Sequence, residues 1–161
     1  MEDWELVDEY FCRVCELSES DLDASSKSLV EVYHSFGIIQ NGGMHGYLCE
    51  VGDQTLVVTQ HYETVGLSDC ARSLTLAHGL WRKYWPDGDP DDSDPDDFRD
   101  RFSSALDALE DDFYDQEDEM IARLVEVVRN QTNHGEQGVK GNEQAPWFAS
   151  LRMLDTAAPP L

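Results

Sequence analysis

Apolar residues recur at helical spacing along most of the chain. One stripe with gaps of three or four residues runs through residues 6–14, and a second runs through residues 29–36. Such spacing places the apolar side chains on one face of an α-helix. The glycines that follow Asn41 indicate the end of the second helix, and residues 44–51, 56–62 and 70–81 continue the helical pattern. Only residues 55–59, Thr-Leu-Val-Val-Thr, could also be a strand, so we predict an all-α fold.

A last apolar stripe runs from about residue 95 to residue 130 and loses phase at Gln116 and Glu117, which predicts two helices with a break there. Asp94 before Pro95 is a natural N-cap, and Gly66 and Ser68 are a predicted helix end and a predicted N-cap. Residues 132–161 begin with a linker-like composition. We therefore predict one compact multi-helix domain over residues 1–131 and a flexible C-terminal tail over residues 132–161.

The negative charge is concentrated in two segments. The net charge is −23, and residues 87–119 carry sixteen acids against two bases, whereas residues 24–86 carry five against four. Residues 1–23 hold nine acids and one base. A surface of this sign disfavours nucleic acid and membranes as direct partners and favours basic proteins. The first ten residues contain no secretory signal pattern, and we expect a cytoplasmic protein with reduced cysteines.

Two acidic stretches are candidate binding surfaces. Residues 107–119 hold eight acids and no base, which in a helix is about one charge per 2.4 Å of axis. Duplex DNA carries one charge per about 1.7 Å. The second stretch, residues 85–98, contains seven aspartates. Helix-terminus chemistry explains Asp94, Asp96 and Asp97, whereas like charges three or four residues apart each cost a few tenths of a kcal/mol.

The sequence gives little support for a metal site, a redox-active cysteine pair or a catalytic site. The aspartate-rich stretch lacks the glycine and glutamate of an EF-hand calcium loop. Cys12 and Cys15 match C-x-x-C, but they lie inside an amphipathic helical stretch, so we interpret them as buried small side chains. The histidines show no metal-ligand spacing, and no nucleophile and base can be nominated. We therefore predict a protein without catalytic activity and without a cofactor.

Two blocks of sequence, VYHSFGIIQNGGMHGYLCEVG and LDALEDDFYDQEDEMIARL, resemble the signature blocks of the acidic DNA-mimic protein family. The resemblance covers roughly residues 25–130. It implies an all-helical homodimer whose carboxylates imitate DNA phosphates and which binds a repressor-type transcription factor. The second block supplies the carboxylates, and Phe113 and Tyr114 in it are packing residues by the same resemblance. Gly46 and Glu50 depart from the amides that family members have near the first block.

These observations lead to one function and two alternatives. The chain is predicted to mimic the DNA phosphate surface and to bind a basic DNA-binding protein, such as a regulator or nucleoid protein. An immunity or adaptor protein that neutralises a basic toxin or nuclease is the first alternative, and a metal-dependent hydrolase is the second. The predicted partner-binding residues are Asp107, Glu110, Asp111, Asp112, Asp115, Asp118, Asp87, Asp89, Asp91 and Asp92.

Overall fold

One long helix is in contact with all the other helices of the described chain. The computed structural model describes residues 3–16, 22–87 and 95–138, and all of the regular structure in these ranges is helical. The helices are α1 (Asp3–Cys15), α2 (Ala24–Val51), α3 (Thr55–Thr64), α4 (Ser68–Tyr84), α5 (Pro95–Tyr114) and α6 (Glu117–Gly138), with a short 3₁₀ turn at Gly52–Gln54. Helix α2 packs against each of the other five. The prediction of an all-α fold is confirmed.

The predicted interruption at the Asn41-Gly42-Gly43 sequence is confirmed as a break inside α2. Gly43 has φ 68° and ψ 176°, so the helical hydrogen-bond ladder stops there and restarts at Met44. A positive φ is costly for residues with a Cβ atom and is readily adopted by glycine. Helix α2 therefore has an N-terminal arm, residues 24–42, and a C-terminal arm, residues 44–51.

Helices α3 and α4 follow each other through a short turn that ends at Gly66 and Leu67. Gly66 has φ 83°, as its predicted role as a helix end requires. Ser68 is not the N-cap that the sequence suggested, because the helix already includes it and its hydroxyl donates to the Glu63 carboxylate at 2.7 Å. The ambiguous residues 55–59 belong to α3, because Val58 and Thr59 are buried on one helical face while Leu56 and Val57 are exposed.

A single apolar cluster includes residues of all six helices. Its largest fully buried side chains are Trp81, Tyr47, Tyr62, Phe36, Phe98 and Phe113. Burial of aromatic side chains of this size contributes roughly 1.5–3 kcal/mol each to folding. Phe36 on α2 and Phe113 on α5 are in contact, with ring centroids 6.1 Å apart, so the cluster joins the two segments that carry the resemblance blocks.

The expectation that Cys12 and Cys15 are buried is corrected. Cys12 and Cys15 are exposed, because Val7 and Val14 form the buried side of α1 and the cysteines fall outside it. Helix α6 runs to Gly138, and the division into a domain over residues 1–131 and a tail over residues 132–161 stays a prediction. Each residue added to a helix that is already formed gains a backbone hydrogen bond, so a helix can extend beyond its last apolar residue. In the described ranges, no helix is long and apolar enough to span a bilayer.

Candidate acidic interface

Helix α5 divides its side chains between the core and the surface. Phe98, Leu106 and Phe113 are buried against the neighbouring helices α2 and α4. The spacing of these residues leaves the opposite face of the helix in solvent. Most of the acids of α5 lie on that outer side, which is why the helix has a strongly amphipathic character.

Three of these acids and one acid just beyond the helix form a row along the outer face of α5. The row, called here the α5 acidic line, consists of Asp100, Asp107, Asp111 and Asp115, all of which are exposed. Successive members are seven or four residues apart, which keeps them on one side of the helix. Asp115 lies just beyond the helix, but its N–H donates to the Asp111 carbonyl at 2.9 Å and continues the helical register. The row is about 22 Å long at the helical rise per residue.

No arginine or lysine neutralises the C-terminal part of this row within the described residues. Several other acids do have a basic partner: Asp97 lies 3.8 Å from Arg101, and Glu119 lies 3.6 Å from Arg123. Among the described residues, Asp107, Asp111 and Asp115 take part in no ion pair. Three adjacent carboxylates therefore present their full charge to solvent.

Glu110 differs from the other predicted phosphate mimics because its carboxylate is engaged inside the chain. Its Oε2 accepts a hydrogen bond from the Met44 N–H at 2.6 Å. The Met44 amide is the first after the break in α2, and it has lost its acceptor in the preceding turn. Glu110 thus caps the C-terminal arm of α2, and it also approaches Gly43 so closely that a Cβ atom there would lie 2.9 Å from Oε2.

The remaining predicted site residues are in different surroundings. Asp112 is exposed on α5 but lies to one side of the acidic line, and Asp118 is exposed in the first turn of α6. An acid in a first turn is favoured by the helix dipole, so Asp118 also has a purely local explanation. Asp87 is exposed after α4, whereas Asp89, Asp91 and Asp92 lie outside the described residues.

Acids of α1 lie on another side of the same part of α2. Phe36 of α2 stacks on Trp4 of α1 at a centroid distance of 5.6 Å and also contacts Tyr114 of α5 at 6.5 Å. Glu5 and Asp8, close to Trp4, line a cleft beside Phe36. Phe36 therefore contacts one aromatic residue of the acidic helix α1 and one of the acidic helix α5.

Tyr114 fixes α5 to α2 at this point. Its hydroxyl donates to the Ile39 carbonyl at 3.0 Å, in the last turn before the break in α2. Burial raises the pKa of Tyr114, and the charges of Glu110 and Glu117 raise it further, so the hydroxyl remains protonated and able to donate. The expected packing roles of Tyr114 and of the fully buried Phe113 are confirmed.

Two histidines of the described residues lie close to a nucleophilic side chain: His61 to Ser28, and His45 to Cys49. No group of three or more histidine, cysteine, aspartate or glutamate side chains among them could hold a metal ion. Ser28 lies 3.1 Å from the Nδ1 atom of His61, but Ser28 is only 2% exposed. Its hydroxyl also donates to the Ala24 carbonyl at 2.9 Å. This serine is held in the fold and cannot approach a substrate in this arrangement.

Three surface acids were not singled out from the sequence: Asp100 of the α5 acidic line, and Glu5 and Asp8 beside the cleft next to Phe36. Asp100 could have been found, because it lies seven residues before Asp107 on the same helical face. Glu5 and Asp8 could not, since only the packing of α1 on α2 brings them to this region.

Comparison with known protein families assigns residues 20–131 to the family described as DMP19-like protein. The chain belongs to the DMP19-like protein family. The match extends from the start of α2 across α5 and into α6, so it includes the break at Gly43, the α5 acidic line and the Glu110 contact. Helix α1 lies outside the matched residues. Comparison with curated proteins and with solved structures gives no significant match.

Proposed function

We propose that this protein is a non-catalytic DNA mimic that binds a basic DNA-binding protein, such as a transcription regulator, in place of DNA. The observation that carries the proposal is the α5 acidic line, whose carboxylates are exposed and, from Asp107 onward, have no basic partner among the described residues. Membership of the DMP19-like family is compatible with this role.

The spacing of the carboxylates suits a protein that normally contacts phosphates. Acids four residues apart on a helix are separated by about 6 Å along the axis. Counting all eight acids of residues 107–119, the density is below that of duplex DNA, which carries one charge per about 1.7 Å. Lysine and arginine side chains are long enough to adjust to such a difference.

Repulsion between the carboxylates of the α5 acidic line lowers the stability of the fold, and no interaction within the described structure offsets it. Asp107 and Asp111, and again Asp111 and Asp115, are like charges four residues apart, and each such pair costs a few tenths of a kcal/mol. Neither pair caps a helix or joins an ion pair in the described structure. A basic partner would remove this repulsion, and the resulting attraction would chiefly raise the rate of encounter while surface shape selects the partner.

We further propose that the protein acts as a homodimer. Leu56, Val57 and Leu76 are large apolar side chains that are 44%, 48% and 54% exposed. They lie on α3 and α4, within the nearly neutral residues 24–86, where association is opposed by little charge. A symmetric contact made there would leave the two acidic lines available to the partner protein.

The first experiment compares two triple variants that change the net charge equally. Asp107→Asn, Asp111→Asn and Asp115→Asn neutralise the acidic line, whereas Glu63→Gln, Asp69→Asn and Glu126→Gln neutralise exposed acids elsewhere. Wild-type protein fixed to a resin captures the partner from the native cell. Each soluble variant is then tested for displacing that partner from DNA, in a titration followed by fluorescence anisotropy.

We expect the first variant to compete at least tenfold more weakly than wild type and the second to compete nearly as well. We also expect wild-type competition to weaken between about 50 and 200 mM salt, because exposed charges are screened beyond a Debye length of about 8–10 Å. Equal competition by both variants would exclude the acidic line as the phosphate surrogate. Capture of a nuclease blocked at its catalytic groove would instead support the immunity-protein alternative.

A further inference from the structure

An open cleft of about 440 Å³ lies between α1 and the N-terminal arm of α2. Three aromatic side chains form its walls: Trp4, Tyr33 and Phe36. The carboxylates of Glu5 and Asp8 and the backbone of Gly37 also line it. Among the described residues that line the cleft, none is basic. The cleft thus combines aromatic surface with negative charge.

The aromatic walls are held in a defined arrangement. Trp4 stacks on Phe36 with an interplanar angle of 16°, and it meets Tyr33 edge-on at a centroid distance of 5.7 Å. Phe36 is itself 2% exposed and anchored in the core. Aromatic faces carry negative electrostatic potential and attract cations, most strongly in the case of tryptophan. This arrangement favours a flat cationic group over a neutral one.

The Asp8 carboxylate is fixed at the cleft by Tyr33. The Tyr33 hydroxyl donates to Asp8 Oδ1 at 2.8 Å. Partial burial, the hydrogen bond to Asp8 and the charge of Asp8 raise the pKa of Tyr33 to about 12, so the hydroxyl is a donor throughout the physiological range. A carboxylate can accept several hydrogen bonds at once, which leaves Asp8 able to bind a further donor.

Gly37 keeps the cleft open. A Cβ atom at this position would meet no atom of the surrounding elements within 4 Å, so internal packing does not require glycine here. Glycine inside a helix costs roughly 0.5–1 kcal/mol relative to alanine. A larger side chain at position 37 would therefore occupy free space beside the aromatic walls.

We propose that this cleft binds the guanidinium group of an arginine side chain that projects from the basic partner. The inference rests on the proposed function and adds a specific anchor to the general attraction of the acidic line. A guanidinium group is planar, stacks on aromatic rings and can donate two parallel hydrogen bonds to a carboxylate. A lysine ammonium is more strongly hydrated and offers no flat face, so it fits the same walls less well.

Three small probes test the chemistry directly: the N-acetyl methylamides of arginine, lysine and citrulline. Citrulline has nearly the shape of arginine but no charge. Binding is followed by the NMR shift of the Trp4 indole N–H, assigned with Trp4→Phe. We expect saturable binding of the arginine probe at roughly millimolar concentration, at least threefold weaker binding of the lysine probe, and no saturable binding of citrulline.

Two glycine variants separate the cleft from general effects of substitution. Gly37→Leu fills the cleft, while Gly79→Leu places the same side chain in open space on the surface of α4. Both changes replace helical glycine by a better helix former, so both variants are expected to fold. Gly37→Leu should weaken binding of the arginine probe at least tenfold, and Gly79→Leu should leave its binding unchanged.

Equal shifts with citrulline and arginine, or no response of Trp4 to arginine at tens of millimolar, would overturn the proposal. So would unchanged arginine binding in Gly37→Leu. These outcomes are distinct from failure of the proposed function, because the probe experiment involves no DNA and no partner protein. The triple variant of the acidic line is expected to bind the arginine probe normally even though it fails to compete with DNA.

Discussion

Two neighbouring acids on α5, Glu110 and Asp111, have the same charge and different tasks. Asp111 is exposed on the acidic line, whereas Glu110 is half-buried and accepts the Met44 N–H. A position one residue along a helix is turned by about 100°, which is enough to exchange solvent for the surface of α2. Charge alone therefore does not assign a carboxylate to the partner surface.

This difference predicts opposite effects on stability. Glu110→Ala removes a charged cap and should lower the free energy of unfolding by about 1–2 kcal/mol. Asp111→Asn relieves repulsion and should leave stability unchanged or raise it by a few tenths of a kcal/mol. Urea denaturation followed by circular dichroism measures both. If Asp111→Asn lowered the free energy of unfolding as much as Glu110→Ala, the hydrogen bond from Met44 to Glu110 would not be a specific source of stability.

The role of Glu110 could not be predicted from the sequence, although that of Phe113 could. Phe113 belongs to an apolar stripe, and such a stripe is a local pattern that reports burial directly. The Met44 N–H that donates to Glu110 is 66 residues away in the sequence, and nothing near either residue marks the pair. The glycine at position 43 was a local signal of the break, but not of the group that satisfies the freed amide.

At the scale of the elements, α2 depends on a different acid at each of its two starting points. Its N-terminus is capped by Asp23, whose Oδ1 accepts the Ser26 N–H at 2.7 Å. Burial raises the pKa of Asp23, but hydrogen bonds from Ser26, Gln131 and Ser25 outweigh that effect and lower it overall. The contribution of Asp23 to stability is therefore complete above its ordinary pKa of 3.8 and is lost as the pH falls through the lower folded value.

Asp23→Ala should accordingly lower the free energy of unfolding by about 1 kcal/mol at neutral pH. The difference from wild type should shrink as the pH falls well below 3.8. Asp23→Asn retains a good N-cap residue without a titrating group and should stay close to wild type at neutral pH. Urea titrations between neutral and acidic pH give the comparison. A penalty in Asp23→Ala that is constant with pH would contradict a contribution from the ionised carboxylate.

Most helices were predictable because each buries one face, and one face produces a periodic pattern. Residues 55–59 were ambiguous because a run of five residues is too short to separate a helix from a strand by periodicity. Burial of Cys12 and Cys15 was predicted from their small size, but both are exposed. The packing of α1 against α2 and α6 decides which side of the helix faces the core. The continuation of α6 past residue 131 had no apolar signal at all.

At the scale of the whole molecule, charge and apolar exposure are found on different elements. The acids are concentrated on α1, α5 and the start of α6, and the three exposed large hydrophobic residues of the described chain are on α3 and α4. Separation of this kind lets a protein with a net charge of −23 associate with itself without bringing its acids together. The residues of the cleft could not be identified from the sequence, because they come from α1 and α2, and the packing of these two helices decides which side chains meet.

The proposed dimer predicts a response to changes on α3 and α4 alone. Light scattering at micromolar concentration should give the mass of a dimer for wild type and for the Asp107, Asp111 and Asp115 triple variant. Leu56→Gln combined with Leu76→Gln should shift the population to monomer, because the buried apolar area at the contact falls. A wild-type monomer, or a dimer unaffected by the double variant, would rule out this contact.

The cap between Glu110 and Met44 also constrains the order in which the chain can be completed. Synthesis proceeds from the N-terminus, and Glu110 is added 66 residues after Met44. Until then the C-terminal arm of α2 has no carboxylate at its first amide, and an isolated helical segment of eight residues is too short to persist in water. The nascent chain can form the N-terminal arm early, but the bend at Gly43 becomes fixed only when α5 has left the ribosome.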